Sequence, residues 1–131
     1  MKKVLLDTNA YSELLKGDER VLNEVGEAEK VYMSVFVLGE LFYGFKGGRR
    51  EIQNRGYLKD FLSKHTVRIV QASEETAEYF SEIKHNLKMQ GKKIPLNDVW
   101  IAAHVMQHGA ILITFDKHFE HIPGVRIWQY Q

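Results

Sequence analysis

The chain has 131 residues, a net charge of +1 and no cysteine, which is enough for one domain with a buried core. The lack of cysteine excludes disulfides, thiol catalysis and cysteine-ligated zinc, and it fits a reducing compartment. The most apolar stretch, residues 31–45, is shorter than the roughly 20 residues that cross a bilayer, and the apolar run before Asp7 is too short for a signal peptide. We therefore expect one cytoplasmic domain over residues 1–131.

Short apolar runs alternate with stretches of helical periodicity along the chain. In chain order, the patterns predict a strand at 3–7, helices at 10–16 and 18–28, a strand at 30–33, helices at 35–45 and 51–64, a strand at 67–71, helices at 73–90 and 98–108, and strands at 110–114 and 125–128. Ser34, Ser73 and Asn97 are predicted helix caps. Because no Asn-Gly or Asp-Gly hairpin signal occurs, the order indicates an α/β domain with a mainly parallel sheet of about five strands.

Four acidic residues occupy unusual positions in this pattern. Asp7 ends the first strand and Asp116 follows the strand at 110–114, so both are expected at the edge of the sheet where parallel sheets bind ligands. Glu40 is the one charge within residues 31–45, and we expect it to be buried and neutralised by a cation, a basic side chain or a raised pKa. Asp98 opens an apolar helix.

Asp7, Asp98 and Asp116 taken singly also have a structural interpretation, since Asp is favoured at helix starts and in turns, whereas Glu40 has none of this kind. Taken together, Asp7, Glu40, Asp98 and Asp116 form the donor set that Mg²⁺ or Mn²⁺ requires. Such ions lower the pKa of water and stabilise a leaving oxygen, which is the chemistry of phosphodiester hydrolysis. Thr8, Asn9 and Thr114 are then either donors that orient the carboxylates or ordinary cap and strand-end residues.

These segments resemble, in order and from end to end, the PIN domains and within them the VapC ribonuclease toxins. The matching segments are Val4-Leu5-Leu6-Asp7-Thr8-Asn9, Ser34-Val35 through Gly39-Glu40-Leu41, Asn97 through Ala103, Thr114-Phe115-Asp116-Lys117-His118-Phe119, and the tail Ile122 through Ile127. Any one of these motifs is weak evidence. Four acidic motifs in the right order over the right length are strong evidence.

The resemblance implies a three-layer α/β/α fold, with the sheet between helical layers, and catalytic, metal-binding roles for the four acids. It further implies Mg²⁺- or Mn²⁺-dependent endonucleolytic cleavage of RNA, a homodimer, and inhibition by a cognate VapB-type antitoxin. The chain departs from many relatives at His118, where they carry a further aspartate, and this leaves one or two metals possible. His118 is a ligand, a substrate contact or neither, and we interpret neither role as essential.

Beyond the four acids, 13 acidic residues remain of the total of 17, against 18 basic ones. Lys84, Lys88, Lys92 and Lys93 lie in a stretch without acids, and Arg49, Arg50 and Arg55 follow the Glu40 segment. These side chains suit RNA phosphates, although lysines near helix ends also serve solubility and the helix dipole.

Several other interpretations compete with these. His104 and His108, four residues apart and with His118 and His121 nearby in sequence, have a spacing that zinc sites use. Trp100, Phe42 and Tyr43 are either base-stacking or core residues. A haloacid-dehalogenase-like phosphatase would need a second aspartate at position 9, which is Asn9 here. The remaining alternative is a catalytically inactive PIN scaffold that acts as a binding module.

Overall fold

A computed structural model describes residues 1–130, so Gln131, the last residue of the expected domain, lies outside the described part. In chain order the elements are β1 (Lys3–Leu6), α1 (Thr8–Leu15), α2 (Glu19–Glu27), β2 (Lys30–Ser34), α3 (Val35–Phe45), α4 (Glu51–Leu62), β3 (Val67–Val70), α5 (Glu74–Gln90), α6 (Leu96–His108), β4 (Ile111–Ile113), a 3₁₀ helix (Lys117–His121) and β5 (Arg126–Ile127). The predicted α/β class is confirmed.

The five strands form one parallel sheet with the order β3-β2-β1-β4-β5. The chain adds β2 and β3 on one side of β1 and then returns to add β4 and β5 on the other side. The strand order therefore reverses between β1 and β4, where Leu6 pairs with Ile113. Open parallel sheets bind ligands at such a reversal, beyond the carboxyl ends of the strands. Asp7 directly follows β1 and Thr114 directly follows β4.

The two central strands are buried on both faces. Val4, Leu5 and Leu6 in β1 and Leu112 and Ile113 in β4 are fully buried. Helices cover both sides of a parallel sheet, which explains why these strands are continuous apolar runs without alternation. None of the described helices is both long and apolar enough to cross a membrane.

The start of α6 corrects one predicted cap. The helix begins at Leu96 with Pro95 as the N-cap and without a side-chain cap bond, so the prediction that Asn97 caps it is wrong. Proline is tolerated there because the first helical N–H groups have no partner within the helix. Asn97 instead donates from Nδ2 to the carbonyl oxygen of Phe36 at 3.3 Å, which ties the first turn of α6 to the first turn of α3.

The burial of α3 also differs from expectation. Val37, Leu38 and Leu41 face the core, but Glu40 is exposed and Tyr43 is 85% exposed. The expectation that Glu40 is buried is therefore wrong. An apolar composition does not bury a helix when its second face has no neighbour in the fold, and α3 leaves such a face open.

Candidate active site

Asp7 lies at the junction of β1 and α1 and is 5% exposed. It is the N-cap of α1, with Oδ1 accepting a hydrogen bond from the Ala10 backbone N–H at 2.8 Å. Its other oxygen, Oδ2, accepts from the hydroxyl of Thr114, which follows β4. The pairing of β1 with β4 thus brings together two residues that are 107 positions apart in the chain.

The environment of Asp7 opposes its negative charge. Burial raises the pKa of this carboxyl group to about 6, the hydrogen bonds from Thr114 and Ala10 act in the opposite direction, and the nearby charges of Asp98 and Asp116 raise the pKa further. A buried carboxylate with acidic neighbours becomes stable in its ionised form when a cation binds beside it. The structure therefore brings three of the four predicted acids into electrostatic contact.

Thr114 connects Asp7 to the loop that carries Asp116. Its hydroxyl oxygen accepts from the Asp116 backbone N–H at 3.0 Å while the hydroxyl proton goes to Asp7. The Thr114 carbonyl oxygen accepts from the indole N–H of Trp128 at 2.6 Å. This short network fixes the direction in which the chain leaves β4.

Asp98 lies in the first turn of α6 and faces the 3₁₀ helix. The pKa of its carboxyl group is raised by burial, lowered by the proximity of His118, and raised by the charges of Glu40 and Asp116. His118 stands between the two aspartates. Its Nε2 is 2.9 Å from Asp98 Oδ2 and its Nδ1 is 3.0 Å from Asp116 Oδ1.

Glu40 reaches the same site from α3 and contacts the start of α1. Its Oε1 accepts from the Thr8 hydroxyl at 2.5 Å. Its negative charge raises the pKa of the Asp98 carboxyl group. The two groups are near each other because α3 and α6 meet through the hydrogen bond from Asn97 to Phe36. Asn9 is exposed and makes no side-chain hydrogen bond within residues 1–130. Thr8 therefore has a contact in the site, and Asn9 has none.

Asp98, Asp116 and His118 are the residues of the described chain whose donor atoms lie near enough to share one metal ion, with all three atoms within 4.8 Å of one another. Asp7 and Glu40 flank this group. The mixture of carboxylate oxygens and an imidazole nitrogen fits a divalent cation. No hydrophobic periodicity predicted a helix over residues 117–121. The sequence alone therefore did not indicate where the His118 ring would lie.

Other candidate residues have structural roles. His104 is fully buried, with Nδ1 2.8 Å from the Ser34 hydroxyl and Nε2 3.1 Å from the Gln71 carbonyl oxygen. Both ring nitrogens are thus occupied, which rules against a zinc site shared with His108. Trp100 stacks between Phe36 and Phe80 at ring-centroid distances of 5.2 and 3.9 Å and is a packing residue.

Comparison with known proteins agrees with this geometry. The family model described as "PIN domain" matches residues 4–125. The chain belongs to the PIN-domain family. This PIN domain is 33% identical over 129 residues to "Ribonuclease VapC2" of Haemophilus influenzae, covering 96% of each chain. It is 26% identical, again with 96% of each chain covered, to "tRNA(fMet)-specific endonuclease VapC" of Shigella flexneri.

Solved structures give the same relationship. The crystal structure of VapBC2 from Rickettsia felis, bound to a DNA fragment from their promoter, contains a chain that superposes with a TM-score of 0.87 at 27% identity, covering 98% of this PIN domain and 99% of that chain. The fold and family expected from the acidic motifs are therefore confirmed. PIN-domain nucleases generally depend on divalent metals, and the acidic cluster of this chain suits such an ion.

Proposed function

We propose that this PIN domain is a metal-dependent endoribonuclease that acts as the toxin of a type II toxin–antitoxin pair. The observation that carries the proposal is the convergence of Asp7, Asp98 and Asp116, with Glu40 beside them, at the strand-order reversal between β1 and β4. The relatives named as VapC ribonucleases cover nearly the whole chain and support the same activity.

Asp7, Glu40, Asp98 and Asp116 would hold the ion, and Mg²⁺ or Mn²⁺ is the expected cofactor because hard divalent cations prefer carboxylate oxygens. When bound, such an ion activates water for attack on phosphorus and offsets the charge on the leaving oxygen. The raised pKa of Asp7 fits this role, since the carboxyl group is already positioned and lacks only a positive charge to keep it ionised.

The surrounding residues of the chain hold these acids in place. Thr114 and the Ala10 backbone N–H fix both oxygens of Asp7, and Thr8 fixes Glu40. The Asp116 carboxylate accepts from the backbone N–H of His118 at 3.2 Å. Carboxylates held in this way need little reorganisation when a phosphodiester binds.

A groove with four lysines along it supports RNA as the substrate. It lies along α5 and the turn before α6, and Lys84, Lys88, Lys92 and Lys93 line it. The end of α5 contacts the 3₁₀ helix that carries His118, through a 3.2 Å hydrogen bond from Gln90 Nε2 to the His121 carbonyl oxygen. We propose that a strand of RNA bound along this groove extends to the acidic cluster.

The double substitution Lys84→Ala with Lys88→Ala is expected to weaken binding of single-stranded RNA. Each lost phosphate contact should reduce the slope of log affinity against log salt concentration by about 0.7. Fluorescence anisotropy with Asp7→Asn protein, over a range of KCl concentrations, measures both quantities without cleavage. Lys59→Ala on α4 is the control for a surface lysine elsewhere, and an equal effect per lysine removed would exclude the groove as an RNA site.

We further propose that a VapB-type antitoxin inhibits this chain, that the chain forms a homodimer, and that it acts in the cytoplasm. A toxin-antitoxin complex from Klebsiella pneumoniae among the similar solved structures supports the first proposal. Size-exclusion chromatography with light scattering tests the dimer. The adjacent gene distinguishes a toxin from a housekeeping nuclease. A toxin is expected to have a gene for a small antitoxin beside it.

The central experiment incubates the purified protein with a panel of structured RNAs in Mg²⁺, Mn²⁺ or EDTA. We expect internal cleavage with either metal and none with EDTA. Inert protein under all conditions would favour the inactive binding scaffold. Rapid hydrolysis of small phosphomonoesters without RNA cleavage would favour the haloacid-dehalogenase-like phosphatase.

Glu40→Gln is expected to lower RNA cleavage by about 10²-fold or more, since it removes one metal-facing charge and keeps the shape of the side chain. Gln retains an oxygen that accepts the Thr8 hydroxyl, so the contact between α1 and α3 remains. Isothermal titration with Mn²⁺ and a thermal melt accompany the activity assay. An unchanged Mn²⁺ affinity would exclude Glu40 as a ligand, and Glu29→Gln serves as a charge-matched control.

A further inference from the structure

We infer that His118 supplies a nitrogen ligand to the divalent ion through Nε2, so that this site combines carboxylate and imidazole donors. The inference rests on the metal dependence in the proposed function. It departs from the expectation that His118 is not essential, and it gives a specific role to the position at which the sequence differs from many relatives.

The position of Nε2 is the first line of evidence. The atom is buried and has no hydrogen-bond partner among residues 1–130. Although Asp98 Oδ2 is only 2.9 Å away, the geometry is not that of a hydrogen bond, so Nε2 is left without its normal partner. Two neighbouring ligands of an octahedral ion, each about 2.1 Å from it, lie about 3 Å apart. The Nε2 to Oδ2 distance matches that spacing.

The other side of the ring lies against Asp116. Nδ1 is 3.0 Å from Asp116 Oδ1, and the same oxygen accepts from the His118 backbone N–H. With a cation shared by Nε2 and Asp98, the carboxylate of Asp116 would hold the ring proton on Nδ1 and leave the lone pair of Nε2 for the ion. Asp116 thus orients the His118 ring toward Asp98, and Asp116 Oδ2 is still available as a ligand.

The ring direction is also fixed by packing. The neighbouring side chain of Phe119 is 1% exposed, and its ring centroid is 4.8 Å from that of His118. Phe119 anchors the 3₁₀ helix in the core, so His118 is held from both its backbone and its ring. A metal ligand that is positioned before binding loses little conformational entropy when the ion arrives.

The expected consequence is a change in metal preference. Imidazole nitrogen favours Mn²⁺ and the later transition metals over Mg²⁺, whereas carboxylate oxygen suits Mg²⁺. The ratio of Mn²⁺ affinity to Mg²⁺ affinity should therefore fall by about tenfold or more in His118→Asp. That variant restores the acid found in many relatives and keeps a ligand at this position.

The test is pulsed electron paramagnetic resonance of Mn²⁺ added to metal-free protein, which detects nitrogen nuclei bound directly to the ion. We expect nitrogen coupling in the unmodified protein and in His121→Ala, which removes an exposed histidine from the same 3₁₀ helix. We expect no nitrogen coupling in His118→Asp or His118→Ala, with thermal melts to verify folding. Isothermal titration of Mn²⁺ and Mg²⁺ gives the affinity ratio.

Absence of nitrogen coupling in the unmodified protein, or its persistence in both His118 variants, would overturn the inference. So would an affinity ratio that is the same in His118→Asp and unmodified protein. These results are independent of RNA cleavage. A protein that cuts RNA without a nitrogen-ligated ion refutes the His118 role alone, and a protein that binds Mn²⁺ through nitrogen but cuts no RNA refutes the proposed function alone.

Discussion

Asp7→Asn is expected to reduce RNA cleavage by about 10³-fold or more, which corresponds to about 4 kcal/mol of lost transition-state stabilisation. Asp7 is the buried acid of the site, with one oxygen on the helix cap and the other on Thr114. Asn keeps the shape of this side chain and removes its charge. Rates under single-turnover conditions, with saturating Mn²⁺, measure the effect on the chemical step.

The choice of Asn separates catalysis from folding. Asn and Asp are about equally good N-caps, whereas Ala in the same place costs about 1 kcal/mol. Asp18→Asn is the matched control, because Asp18 caps α2 in the same way. Asp7→Asn with near-normal cleavage would refute the active-site assignment, and loss of activity in both variants would point to a general effect of replacing a capping aspartate.

The stability of metal-free protein should fall as pH rises from about 4 to 7 by up to about 3 kcal/mol through Asp7. Burial raises the pKa of this group from 3.8 to about 6 in the folded protein. The folded state therefore holds the proton more tightly than the unfolded state. Stabilisation by this proton is complete below pH 3.8 and is lost as pH rises through 6.

Urea denaturation of EDTA-treated protein at several pH values gives the measurement, with Asp7→Asn as the reference that has no such proton. The free energy of unfolding of the unmodified protein should decrease relative to the variant across this range. Saturating Mn²⁺ in place of EDTA should abolish this decrease with pH, because the ion stabilises the charged form of Asp7. A constant difference between the two proteins at all pH values would contradict the raised pKa.

The sequence predicted the central part of this site because the residues there change abruptly from apolar to polar along the chain. Asp7 and Thr114 directly follow fully buried strands, and parallel pairing obliges the ends of neighbouring strands to meet. The position of Asp116, just after the strand at 110–114, followed from the same reasoning, whereas Asp98 was indicated by its place at the start of an apolar helix. The structural interpretations of these acids hold as well: Asp7 and Asp116 cap helices and Asp98 opens one. A helix-capping role and a place in the acidic cluster are therefore compatible.

The errors have a common origin in tertiary contacts. The exposure of Glu40 depends on which face of α3 lacks a neighbour, and hydrophobic composition does not specify that. Asn97 lost its predicted capping role because its side chain finds the Phe36 carbonyl oxygen on another helix. The place of His118 depends on a 3₁₀ turn of five residues, which is too short to leave a periodic signal.

The contact between Asp7 and Thr114 also has a consequence during protein synthesis. Asp7 is among the first residues made, but its hydroxyl donor is made 107 residues later, and the indole that holds Thr114 comes later still, at Trp128. A polypeptide that ends before residue 116 therefore lacks part of the acidic cluster, and one that ends before residue 128 lacks the indole that holds Thr114. A ribosome translating this message does not expose an assembled nuclease until nearly all of the domain has left the exit tunnel.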